Sequence, residues 1–146
     1  MVKRIERSAL VMYSCQQMFD VVNDVASYPE FVPGCAGAEI ISASEISMVA
    51  RLDLNKAGLK QSFVTRNTLN CPHTIGLFLE DGPFKVLCGE WSFQGLSESA
   101  CKVVFWLEFE FSNALLTKTA GKVFEKVASE QVDAMCRRAA EQYSEN

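Results

Sequence analysis

The stretch CKVVFWLEFEFSN at 101–113 constrains the fold more than any other part of the chain. Val103, Phe105, Leu107, Phe109 and Phe111 alternate with Lys102, Glu108 and Glu110, the period-two pattern of a strand with one apolar and one polar face. Directly after Ser112-Asn113, a capping pair, the period changes. Leu116, Ala120, Phe124, Ala128, Met135 and Ala139 recur at steps of three and four, apart from a gap near Gln131–Val132. Lys118, Lys122, Lys126, Asp133, Arg137 and Glu141 fall largely on the other side. The spacing predicts a C-terminal helix of about 25–30 residues, ~40 Å long and able to cross a whole sheet.

Upstream, residues 3–13 alternate weakly and predict a first strand. Ser14 and Gln17 form a capping-box pattern, and Met18, Phe19, Val22 and Val25 follow at helical spacing. From Ala38 to Ser112 the period is two. Ile46, Met48, Ala50, Leu52 and Leu54 share one face, as do Phe63, Thr65, Asn67 and Leu69, and later Leu87, Trp91 and Phe93. Asn55–Gly58 and Asp81-Gly82-Pro83 mark turns, so successive strands make an antiparallel meander.

The apolar face of such a sheet must be covered, and only the C-terminal helix is long enough to cover it. This predicts an α+β, helix-grip architecture. A curved antiparallel sheet of about seven strands wraps around the long helix, with one or two short helices after the first strand. The whole chain, 1–146, is expected to be one domain. Ala120, Gly121, Ala128, Ala134, Ala139 and Ala140 on the helix either let it pack tightly or leave space above the sheet; the pattern leaves both open.

YPEFVPGC at 28–35 interrupts the two regular patterns. Pro29 and Pro33 end the preceding helix. A surface connection does not need Tyr28, Phe31 and Val32, because such segments are usually polar. The segment is therefore expected to be a loop over one opening between sheet and helix, as a lid or mouth.

Composition narrows the function classes. The chain is 49% apolar with a net charge of −4, which disfavours a DNA-gripping role built on a basic patch. No apolar run approaches a membrane span, and MVKRIERSALVMY lacks the continuous apolar stretch of a secretory signal, so a cytoplasmic location is expected. Six cysteines form no CxxC pair. Cys71-Pro72-His73 is read as a turn, since a zinc site needs three or four ligands and the chain has one histidine. No catalytic group is expected: His73 has no evident partner, Glu108 and Glu110 fit a solvated sheet surface, and no phosphate loop occurs.

Three stretches together carry a resemblance. YPEFVPGC, TRN at 65–67 with GPFKVLCGEWSF at 82–93, and FEFSNALL running into VFEKVASEQVDAMCRRAAEQY resemble segments of the START-like coenzyme Q-binding (polyketide cyclase-like) family. The match runs in order along nearly the whole chain. Gly34 stands where that family often has tryptophan.

The resemblance implies a helix-grip fold around a hydrophobic cavity, with no obligatory cofactor and ubiquinone or a related lipid as ligand, in support of respiration. It also implies an alternative, since bacterial relatives are described as ribosome-association toxins that bind the large ribosomal subunit and block subunit joining. As ligand-binding residues in the cavity or its mouth we take Tyr28, Phe31, Val32, Met48, Phe63, Asn67, Trp91, Phe93, Phe105, Leu107, Phe109, Phe124 and Met135. Core packing is the competing role for each aromatic. Asn67 is expected to bond either a quinone carbonyl or a backbone group. Arg66, on the opposite face, is expected to pair with a cross-strand carboxylate such as Glu90.

Overall fold

The computed structural model describes residues 1–144; the last two positions of the predicted 1–146 span lie outside the described residues. Seven strands form one antiparallel sheet: β1 (Lys3–Val11), β2 (Cys35–Ala43), β3 (Ser47–Lys56), β4 (Leu59–Asn70), β5 (Thr74–Asp81), β6 (Phe84–Ser97) and β7 (Ala100–Phe111). Their order is β1-β7-β6-β5-β4-β3-β2. The meander β2–β7 is closed by β1, which pairs with β7 from Lys3↔Phe109 to Val11↔Cys101. β7 keeps the alternation read from its sequence: Val103, Phe105, Leu107, Phe109 and Phe111 are buried while Val104, Trp106, Glu108 and Glu110 are partly exposed. Ile46 departs from its predicted face. It precedes β3, in the β2–β3 hairpin, and stays exposed.

Gly89 allows the sheet to curve. It lies on the inward row of β6 opposite Leu107. A Cβ there would stand 2.4 Å from the Trp106 carbonyl oxygen and 3.2 Å from Leu107 Cα, so β6 and β7 approach too closely for any side chain.

Helix α1 (Cys15–Asn23) starts at the expected capping box: Ser14 Oγ accepts from the Gln17 N–H, and Gln17 Oε1 accepts from the Ser14 N–H. A 3-10 turn, Val25–Ser27, leads into α2 (Tyr28–Phe31). The YPEF segment is thus a helical turn rather than a loop. Proline is tolerated in the first turn of a helix, where an N–H has no intrahelical partner, and Pro29 occupies that place.

The predicted single C-terminal helix is two. α3 (Ala114–Ser129), capped by Asn113 Oδ1 accepting from the Leu116 N–H, is followed after Glu130 by α4 (Gln131–Tyr143). Side chains compete for the carbonyls at the junction. The Ser129 hydroxyl donates to the Lys126 carbonyl at 2.8 Å and Gln131 Nε2 to the Val127 carbonyl at 3.0 Å. Such local bonds offer the backbone an alternative to the helical ladder. Together α3 and α4 still cover the inward face of the sheet.

Two clusters of rings organise the core. Phe124 of α3 meets Phe63, Phe84, Phe109 and Phe111 with centroids 6.2, 5.1, 4.7 and 5.7 Å away. At the α1 end, Phe19 packs edge-on against Phe93 at 5.9 Å. On the outer face, Arg66 pairs with Glu80 of β5, at 3.0 Å, and not with Glu90. Phe78 of β5 stands directly opposite Arg66 and Gly76 opposite Thr68, so Glu90, two strands away, is the more distant carboxylate.

A candidate ligand cavity between sheet and helices

Between the two ring clusters the inward face of the sheet does not meet the helices completely. A cavity of about 100 Å³ remains. β3 contributes Ala50, Leu52 and Leu54; β4 contributes Phe63, Thr65 and Asn67; β5, β6 and β7 contribute Leu77, Leu87, Trp91, Phe105 and Leu107. The side nearest α2 is formed by Val25, Tyr28, Val32 and Cys35, and the helix side by Phe124, Val127, Ala128 and Gln131. Trp91 and Phe105 are cross-strand partners whose rings stack at 4.3 Å, so the widest flat surface in the wall is aromatic.

Of the residues singled out from the sequence, Tyr28, Val32, Phe63, Asn67, Trp91, Phe105, Leu107 and Phe124 reach this wall. Five do not. Phe93 is covered by Phe19 of α1, and Phe109 is spent on Phe111 and Phe124. Met48 and Met135 are buried in the packed core. Phe31 is half-buried beneath the Arg138 guanidinium, 4.9 Å from its ring centroid.

Several wall residues were not singled out. Thr65 could have been found, because it lies between Phe63 and Asn67 on the same face of one strand. Cys35, Val127 and Gln131 had no such signal, since the bend at Gly34 and the helix break at Glu130 bring them together.

The α2 side is held firmly. Tyr28 is buried and its hydroxyl donates to the Val22 carbonyl; it belongs to the core rather than to a loose lid. Burial, then the neighbouring Cys35 and Asp24, push its phenol up from an ordinary value of 10.0. The folded state therefore retains this proton more strongly than the unfolded chain. Its contribution to stability is complete below the ordinary value and is lost as the pH rises above it. Burial also pushes the Cys101 thiol up to about 12, with the same sign. Tyr28→Phe is expected to cost about 1–2 kcal/mol near neutral pH, from one buried hydrogen bond and a carbonyl left without it. It is also expected to flatten the loss of stability above pH 10; urea titrations at pH 7 and pH 10.5 measure both.

Beside α2, Arg138 pairs with Glu30 at 3.1 Å. Lys56, at the end of β3, pairs with Glu130 at the helix junction at 3.3 Å. Gly34 sits between these elements with φ +84°, where a Cβ would lie 3.2 Å from Val127 Cγ2 and 3.4 Å from Lys56 Cδ. A tryptophan at this position would meet both the left-handed backbone and these neighbours.

No helix among the described residues is long and apolar enough to cross a membrane. Residues 11–136 match the family described as polyketide cyclase / dehydrase and lipid transport. The chain is 49% identical to the ribosome association toxin RatA of Vibrio cholerae serotype O1, over 98% of this chain and 99% of that one. It is 30% identical to the mitochondrial coenzyme Q-binding protein COQ10 of Drosophila melanogaster, over 88% of this chain and 54% of that protein. Among solved structures, the ZhuI aromatase/cyclase of Streptomyces sp. R1128 superimposes with a TM-score of 0.83 at 20% identity, covering 95% of this chain and 94% of the other. On the match over residues 11–136, carried on a helix-grip sheet, the chain belongs to the polyketide cyclase / dehydrase and lipid transport family.

Proposed function

We propose that the protein is a cytoplasmic, non-enzymatic carrier that binds an isoprenoid quinone or a related lipid and so supports respiration. The observation that carries this reading is the cavity between the sheet and α3–α4, walled by stacked Trp91 and Phe105 and by aliphatic side chains. Such walls bind by apolar burial, at ~25 cal/mol per Å² removed from water, with few polar groups fixing orientation. At about 100 Å³ the space is below the ~300–1,000 Å³ of pockets that engulf drug-sized ligands. A ring-sized head group therefore suits it better than a whole lipid, and an attached tail would leave between α2 and the helix junction. The relative named as a coenzyme Q-binding protein supports the same ligand class.

The direct test is solvent extraction of protein purified from its own host, followed by mass spectrometry and by ubiquinone titration in vitro. Recovery of quinone or lipid with saturable binding is expected; the absence of both would refute the reading. A second test concerns the mouth. Phe31→Asp sets a carboxylate beside Arg138 at a half-buried position, so a loss of about 1–2 kcal/mol is expected. Loading is expected to fall several-fold, because an apolar ligand passing this position would have to desolvate the new carboxylate. Thermal melting beside lipid recovery measures both, and unchanged loading would remove Phe31 from the entrance.

A second reading is association with the large ribosomal subunit, favoured by near-full-length identity to a protein named for ribosome association. Lys118, Lys122 and Lys126 are exposed at steps of four along α3 and enter no ion pair among the described residues. Contacts of such a row with RNA phosphates weaken steeply with salt. Sedimentation profiles after overexpression decide it: co-migration with the large subunit at low salt supports the reading, and undisturbed subunit joining without co-migration refutes it.

A further inference from the structure

The cavity wall is mainly apolar, and on the sheet side its polar side chains sit together at one place on β4. Thr65 and Asn67, neighbours on the inward face of β4, are the two residues classed as buried and polar among the described residues, 8% and 4% exposed. The Thr65 hydroxyl donates to Asn67 Oδ1 at 2.9 Å. That bond fixes the amide and turns Nδ2 away from Thr65. Among the described residues no acceptor pairs with Nδ2 through a side-chain hydrogen bond, and Asn67 lines the cavity. The atom is not fully enclosed by protein, since the buried unpaired side-chain atoms among the described residues are Asn23 Oδ1 and Arg138 Nε, and a donor facing an apolar cavity is costly unless something pairs with it. Leucine would fit the pattern of the neighbouring inward positions, Phe63 and Leu69, yet the chain carries an amide.

Charge sharpens the point. No residue lining the cavity is ionisable as a cation: its polar members are Tyr28, Cys35, Thr65, Asn67 and Gln131. Tyr28 donates to the Val22 carbonyl, Cys35 Sγ to the Gly37 carbonyl and Gln131 Nε2 to the Val127 carbonyl. Among these, Asn67 Nδ2 is the side-chain nitrogen that donates to nothing in the described residues. A carboxylate or phosphate brought here would lie unpaired, whereas a neutral carbonyl would complete the amide.

Resting on the reading of this cavity as a ligand site, we infer that Asn67 is its polar anchor, donating through Nδ2 to a carbonyl-type acceptor on a neutral, apolar ring ligand. Thr65 is the positioning residue that holds the amide in the donating orientation. The ligand class excludes fatty acids and anionic lipid head groups from the inner cavity. It also sets the direction of entry: the acceptor-bearing ring goes in first, toward β4.

The test uses a matched pair of probes, menadione (2-methyl-1,4-naphthoquinone) and 2-methylnaphthalene, which share a ring skeleton and differ in the two carbonyls. Equilibrium dialysis against the full chain gives both affinities. Asn67→Leu is expected to weaken menadione about tenfold, the scale of one buried hydrogen bond, and to leave 2-methylnaphthalene unchanged or tighter. Its melting temperature is expected to stay close to that of the parent, because an open donor is removed while the Thr65 hydroxyl loses its acceptor. Thr65→Val, which keeps the shape and folds independently of the Asn67 substitution, is expected to weaken menadione several-fold with the same selectivity. Decanoate is expected to bind at least tenfold more weakly than menadione. Loss of both ring probes in equal proportion, or of neither, overturns the anchor while leaving the ligand site standing. A preference for 2-methyl-1-naphthol over menadione overturns the donor assignment. Failure of the parent chain to bind any of the probes overturns the anchor and the ligand site together.

Discussion

Phe124→Ala is expected to lower the melting temperature by roughly 10–15 °C. Removing a buried phenylalanine costs about 3–5 kcal/mol, through lost transfer energy and the space left behind, and each kcal/mol moves a domain of this size by about 2–4 °C. The upper part of that range applies because Phe124 is the one ring shared by α3 and four strand phenylalanines, Phe63, Phe84, Phe109 and Phe111. Aromatic pairs contribute about 0.5–1.5 kcal/mol each beyond their area. The same ring borders the cavity, so the vacated space joins an existing void rather than collapsing. Calorimetry of the purified variant measures the effect. A loss under about 1 kcal/mol would mean that the helix resettles onto the sheet and that the ring cluster contributes little.

Gly89→Ala is expected to be nearly as damaging, although it adds one methyl group. The new Cβ meets the Trp106 carbonyl oxygen at 2.4 Å and Leu107 Cδ1 at 3.0 Å. A side chain can turn away, but a paired backbone carbonyl cannot without opening the β6–β7 ladder. Overpacking of this kind costs about 1–3 kcal/mol where side chains absorb it and more where backbone must move. A loss at or above ~3 kcal/mol is expected, read by urea unfolding. Gly121→Ala is the control: nothing stands within 4 Å of its added Cβ, and alanine in a helix is favoured by about 0.5–1 kcal/mol. If both variants melt alike, the close approach of β6 and β7 is not a constraint.

The elements that could be read from the sequence are those in which a single period decides. β7 alternates because one face meets the helices and the other meets water, and Ser14 caps α1 through a bond to a residue three positions on. The break at Glu130 was hidden for the opposite reason. The gap near Gln131–Val132 is its one mark in the apolar repeat, and Phe124, Ala128, Met135 and Ala139 on either side still fit one continuous helix. What makes the junction is a pair of side-chain bonds, from Ser129 and Gln131 to backbone carbonyls. The YPEF turn is not legible from its prolines, because Pro29 ends one helical segment and stands where the next can begin.

The cavity was legible by face but not by depth. Alternation assigns Phe63, Asn67, Trp91 and Phe93 to the same side of the sheet, yet it does not say which helix each one meets. Phe93 lies under α1 and Phe109 under α3, while Trp91 and Phe105 lie where neither helix reaches. That distinction belongs to the paths of the helices, which depend on contacts distant in sequence.

The placing of β1 beside β7 bears on how the chain reaches this state. Strands β2 to β7 each pair with a neighbour in sequence, through hairpins that close early and cheaply. β1 cannot: its Arg4 meets Glu108, 104 positions away. Closing a loop of that length carries an entropic penalty that no local contact offsets beforehand, and chains dominated by such distant pairings fold slowly. Because synthesis proceeds from the N-terminus, β1 is the first strand made and must wait for its partner until nearly the whole chain has emerged. Throughout that interval Ile5 and Val11, buried in the finished protein, remain without the surface they will cover. The time the ribosome takes to complete the chain is thus a lower bound on the time for which the first strand stays unpaired.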